Sequence, residues 1–97
     1  MEKVSMLNLS TACISVGTAG ILNESAFHDG EICDGLVAYA KGLYGWIVHV
    51  PTSIQSNQIP EDLKACLEHA ASNDCEWIMF DRDVEYDESD GLPKFDW

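Results

Sequence analysis

Pro60-Glu61-Asp62-Leu63-Lys64-Ala65-Cys66-Leu67-Glu68-His69-Ala70-Ala71-Ser72-Asn73 and, three residues on, Glu76-Trp77-Ile78-Met79-Phe80 decide how this chain of 97 residues folds. In the first run Leu63, Cys66, Leu67, Ala70 and Ala71 recur at spacings of three and four, which lays one apolar stripe along a helix over 60–73. Pro60 suits the first helical position, where its missing N–H costs nothing, and Glu61 and Asp62 sit where the helix dipole favours acids. Asn73 closes the helix. The second run is short and nearly continuous in apolar residues, as in a central strand covered on both faces, so a strand is expected over 76–80.

Working back from this pair, Pro51 stops a preceding strand because it cannot donate a ladder hydrogen bond. Leu36 to Ala40 and Trp46 to Val50 read as two strands of a hairpin, joined through Lys41-Gly42-Leu43-Tyr44-Gly45, with aromatic and β-branched residues suited to a pleated surface. Phe27 to Gly35 is mostly polar and reads as a loop. Ser15 to Glu24 offers Ser15 or Thr18 as a helix cap, but its two glycines each weaken a helix by about 1 kcal/mol, so a short first helix is expected. Val4 to Ser10 alternates apolar and polar residues imperfectly, as a first strand would. Together these predict one α+β domain over residues 1–97: a small two-layer sandwich of about four mainly antiparallel strands, covered by one long and one short helix.

Composition narrows the function. The 17 acids against 5 bases give a formal net charge of -12, while three Trp, three Tyr and three Phe argue for a folded acidic surface rather than an acidic tail. Residues 61–97 hold twelve acids and three bases, so the charge gathers towards the C-terminal side. Such a surface repels nucleic acid and anionic membranes, whose binding rests on Lys and Arg. The sequence contains no run of about 18 apolar residues to span a bilayer and its first residues lack a signal-peptide pattern, so a cytoplasmic protein is expected. Cys13, Cys33, Cys66 and Cys75 are irregularly spaced and read as free thiols.

Three stretches resemble a known family: Leu7-Asn8-Leu9-Ser10-Thr11-Ala12, Tyr44-Gly45-Trp46-Ile47-Val48-His49-Val50-Pro51, and Trp77-Ile78-Met79-Phe80-Asp81-Arg82-Asp83 with the ending Gly91-Leu92-Pro93-Lys94-Phe95-Asp96-Trp97. They resemble the domain-of-unknown-function family 5983, and that resemblance implies a setting on plasmids, phages and integrative elements, often near antirestriction genes. It supplies no catalytic residue. The setting implies a cytoplasmic role in a host bacterial cell.

Asp81, Asp83, Glu85 and Asp87 alternate, so an extended chain would place them on one face about 6.6 Å apart. A DNA strand carries a phosphate roughly every 3.4 Å, so these four alone are too dilute to imitate a duplex. Other carboxylates, from Glu61, Asp62, Glu68, Asp74 and Glu76, must join them. The binding surface expected is therefore Asp81, Asp83, Glu85, Asp87, Glu88 and Asp90 with Glu76 and Asp74, directed at a basic groove of a host nuclease or CRISPR effector protein. In that reading the protein is a non-enzymatic inhibitor of anti-CRISPR or antirestriction type, a DNA mimic with no cofactor and no metal. The alternative is a small regulatory or ligand-binding module of a mobile element with no role in host defence. A homodimer is left open.

Competing chemistries fit less well. Asp81-x-Asp83-x-Glu85 begins like an EF-hand loop, but Tyr86 stands where Gly must make the sharp turn and Leu92 where a bidentate Glu is needed. Cys66, His69 and Cys75 lack the close Cys pair and fourth ligand of a zinc site. Cys33 with His28 or His49 would need adjacency in space to form a nucleophilic pair. Ser10 and Thr11, if their strand ran parallel to the one ending at Asp81, would share a polar edge with Asp81-Arg82-Asp83, the place where α/β sheets bind ligands. The closing Phe95-Asp96-Trp97 would either dock into the core or anchor a partner.

Overall fold

In a computed structural model, whose described residues are 5–28, 36, 38–41, 45–51 and 59–95, six main elements follow in order. They are β1 (Met6–Ser10), α1 (Val16–His28), β2 (Ala38–Lys41), β3 (Gly45–His49), α2 (Glu61–Ser72) and β4 (Trp77–Asp81). The strands form one sheet in the order β1-β4-β3-β2. β4 runs parallel to β1 and antiparallel to β3, and β3 is antiparallel to β2. The fold is thus a small α+β domain with a mixed sheet in which two of the three pairings are antiparallel.

Strand periodicity explains where the core sits. Register aligns Leu9 with Phe80 and Trp46, and Ile78 with Val48 and Ala38, so these side chains share one face. They belong to a single buried cluster with Ala19 and Leu22 of α1 and Leu63, Cys66, Leu67 and Ala70 of α2. Both helices therefore cover the same face. Gly45 stands beside Asp81 where the strands pinch together: a Cβ there would lie 1.7 Å from the Phe80 carbonyl oxygen.

α2 and β4 lie where the apolar stripe and the apolar run place them. Pro60 is the N-cap rather than the first helical residue. At the other end, Asp74 adopts the left-handed conformation with φ 58°. Its N–H donates to Ala71 C=O at 3.1 Å and that of Cys75 to Ala70 C=O at 2.9 Å, a Schellman closure in which an aspartate does what glycine usually does.

Two expectations are corrected. α1 spans 13 residues, one more than α2, and takes in Phe27 and His28, which the polarity of 27–35 had assigned to a loop; residues 29–35 lie outside the described part. Its buried positions are Thr18, Ala19, Leu22 and Ser25, while Val16 and Ile21 are exposed. Small and hydroxylated residues at spacings of three and four give a buried face that hydrophobicity does not reveal. β4 is central in the sheet, yet among the described residues only one of its faces carries helices: Ile78 and Phe80 are buried, Trp77 and Met79 only half-buried.

Candidate functional site

The acidic segment leaves β4 in a tight turn. Asp81 C=O accepts from Val84 N–H at 3.1 Å, and its side-chain Oδ1 accepts from Asp83 N–H at 2.9 Å. Asp81 is only 9% exposed, so its carboxylate holds the turn instead of facing outward. This overturns the picture of Asp81, Asp83, Glu85 and Asp87 spaced along one extended face, because an aspartate's ability to bond backbone two residues on competes with strand continuation. Beyond the turn, Tyr86 is half-buried against the core and its O–H donates to Leu92 C=O. The Lys94 Nζ stands 5.5 Å from the centre of the Tyr86 ring, a cation–π distance. Asp87 caps a 3-10 turn over Glu88–Asp90, accepting from Ser89 N–H at 2.9 Å and Ser89 Oγ–H at 2.7 Å. Those bonds from Ser89 hold the Asp87 carboxyl below its ordinary range.

Asp83, Glu85, Asp87 and Glu88 are all exposed, so four of the expected binding residues form one ordered strap. Asp90 lies in the 3-10 turn; its side chain is outside the described part. Asp74 and Glu76, also exposed, precede β4, whereas the strap follows it. Five residues at about 3.3 Å each put roughly 16 Å between Glu76 and Asp81. The fold therefore places two acidic groups at opposite ends of β4, and Asp74 doubles as the helix closure.

Asp62 does not join any outer face. Its Oδ2 accepts from Ser15 N–H and its Oδ1 from Thr18 Oγ–H, both at 2.7 Å. Ser15 Oγ in turn accepts from Thr18 N–H at 3.1 Å, the N-cap bond of α1. A carboxylate on α2 thus occupies the positive end of α1, where backbone donors lack helical partners.

The polar edge imagined from Ser10 and Asp81 exists in register: β1 and β4 are parallel and these two residues are paired. It is closed rather than cleft-like. Ser10 is 7% exposed and its Oγ accepts from Ala12 N–H at 3.1 Å, capping a 3-10 turn over Thr11–Cys13. The returning C-terminal segment covers this end, with Leu92 buried and Phe95 N–H donating to Ala12 C=O at 2.8 Å; Asp96 and Trp97 lie outside the described residues.

Cys66 is fully buried, and its thiol is pushed far up, first by hydrogen bonding to Cys13 and then by burial. Its Sγ lies 3.9 Å from the Cys13 carbonyl oxygen. Among the described residues no three His, Cys, Asp or Glu side chains converge as a metal site requires. Cys33 lies outside the described residues, so its pairing with His28 or His49 does too. His49 instead meets Trp77 edge to face, ring centres 4.7 Å apart.

That contact belongs to a surface the sequence reading missed. Register puts Met6, Trp77 and His49 in one row across the sheet, and Asn8, Met79, Ile47 and Tyr39 in the next. These positions alternate with the core set and so share the face that no described helix covers. Met6 is 40% and Tyr39 54% exposed; Trp77, Met79, Ile47 and His49 are half-buried. The signal lies in Trp77-Ile78-Met79-Phe80, whose continuous apolarity suggests a strand covered on both faces, and in Trp46-Ile47-Val48 of the hairpin.

An acidic α+β domain with one helix-clad face, a largely apolar face that no described helix covers and an ordered acidic strap is the class of protein these features define. The chain belongs to the family of unknown function DUF5983: its C-terminal-domain model matches residues 6–97. No curated protein and no solved structure matches the chain. Among the described residues no helix is long and apolar enough to cross a membrane.

Proposed function

We propose that this protein is a non-enzymatic inhibitor of a bacterial defence nuclease complex, of the anti-CRISPR or antirestriction type. It acts in the cytoplasm of the host cell by occupying a basic surface that otherwise holds nucleic acid. The observation that carries the reading is the ordered strap. Asp83, Glu85, Asp87 and Glu88 are exposed in one short stretch, fixed by the Asp81 turn, the Tyr86 to Leu92 bond and the Asp87 cap. A strap whose backbone is already held in place loses little conformational freedom on binding, which favours affinity. Their field, backed by the net charge of -12, steers encounter with Lys and Arg.

The mechanism is occupancy, and it carries a salt signature. The Debye length falls from about 10 Å at 0.1 M to about 3 Å at 1 M, so binding weakens as salt rises. The test is affinity capture from bacteria carrying active restriction and CRISPR systems, with mass spectrometry of the retained proteins. A nuclease subunit retained by the native protein and lost with Asp83→Lys, Glu85→Lys and Glu88→Lys together is the expected result. Asp87 is left intact because it holds the cap. Retention of no nuclease subunit, or retention indifferent to salt and to the triple change, overturns the reading.

A further inference from the structure

We infer that the open face of the sheet, centred on Met6, Trp77, His49, Met79, Ile47 and Tyr39, is the core of a docking surface for a protein partner whose apolar patch is bordered by Lys and Arg. The inference deepens the inhibitor reading and rests on it for the partner's biological identity, though not for its chemistry.

A sheet with one solvated face ordinarily alternates apolar and polar residues. Here β4 and β3 place Trp77, Met79 and Ile47 on the face that no described helix covers. None of the three packs against the buried cluster, unlike the half-buried Leu7, Ala26 and Tyr86. They therefore lie outside that cluster. A Trp, a Tyr and two Met in adjoining rows are the residue types enriched at the centres of protein interfaces.

Charge selects the occupant. Exposed Asp74 and Glu76 stand at one end of β4; at the other, exposed Arg82 is outnumbered by exposed Asp83, Glu85, Asp87 and Glu88. Along the described face itself the only carboxylate is Asp81, which is spent on its turn. An apolar centre between acidic ends is complementary to an apolar patch between basic ends. A second copy of this chain would bring another -12 against the first, and an anionic lipid surface or nucleic acid is repelled in the same way.

The probe is a synthetic twelve-residue peptide alternating Leu or Ile with Lys, titrated into the isotope-labelled protein and followed by amide NMR shifts. Shifts centred on β1, β3 and β4 positions of the open face are expected. Met6→Glu with Tyr39→Glu should weaken binding at least tenfold, and the two sites are exposed enough for the fold to persist, which an unchanged thermal melt verifies. Equal binding by an all-Lys peptide with shifts confined to 83–88 overturns the inference. So does equal binding by a Glu-for-Lys peptide, or concentration-dependent shifts and dimer sedimentation of the protein alone. The captured nuclease supplies the second arm. Retention that survives Met6→Glu with Tyr39→Glu but not the strap changes overturns the docking face and leaves the inhibitor; peptide binding at the face with no nuclease captured does the reverse.

Discussion

Cys66 shows at the scale of one residue how burial turns a nucleophile into packing. Its thiol is hydrogen-bonded to Cys13 and cut off from water, both of which favour the neutral form. An unfolded thiol ionises near pH 8.5, whereas the folded one holds its proton well beyond that. The unfolded chain then binds fewer protons than the folded one, so stability falls as pH rises. Urea unfolding should give constant stability through neutral pH and a decline above about pH 8.5, and Cys66→Ala should be less stable throughout but decline less steeply. An identical slope in the two proteins would contradict this. Reading Cys66 as a structural thiol was within reach of the sequence because it falls on the stripe of α2. Its contact with Cys13, from a turn far away in the chain, was not.

At the scale of elements, the grip of α2 on the start of α1 depends on Asp62, which accepts from Ser15 N–H and Thr18 Oγ–H. Asp62→Ala leaves both donors without that acceptor, and Thr18 is 3% exposed, so water replaces the bond there poorly. A loss of about 2 kcal/mol is expected in denaturant midpoints, with Thr18→Ala in the Asp62→Ala background adding little more; fully additive losses would show that the pair acts independently. From sequence, Asp62 looked like an ordinary first-turn acid of α2 and a candidate for the outer acidic face. α2 and β4 were legible because their patterns are carried by apolar residues. α1 was half legible, since its inward face uses Thr18, Ala19 and Ser25, and Ser25 is justified only by the Ala38 N–H it accepts from at 2.9 Å. The strap was visible as composition, while its shape depends on hydrogen bonds from Asp81, Tyr86 and Asp87 that spacing cannot announce.

For the molecule as a whole, the charge of -12 is a standing internal repulsion within a radius of gyration of 12.3 Å. Screening it should stabilise the fold. Raising sodium chloride from millimolar to physiological strength is expected to add roughly 1 kcal/mol, or about 4–8 °C in the melting midpoint, and a midpoint that stays level or falls would show that the acids are locally compensated. The same salt should weaken the proposed partner binding, so stability and affinity move in opposite directions. The sheet order carries one more consequence. Among the described strands β1 pairs with β4 alone, Met6 opposite Trp77, so β1 cannot enter the sheet until β4 has been made. Closing that long loop is an entropic cost that no local contact offsets early. The sheet is therefore completed only once β4 has been made, and until then Met6 to Ser10 is an unpaired, uncharged segment that depends on the acidity of the rest to keep neighbouring nascent chains apart.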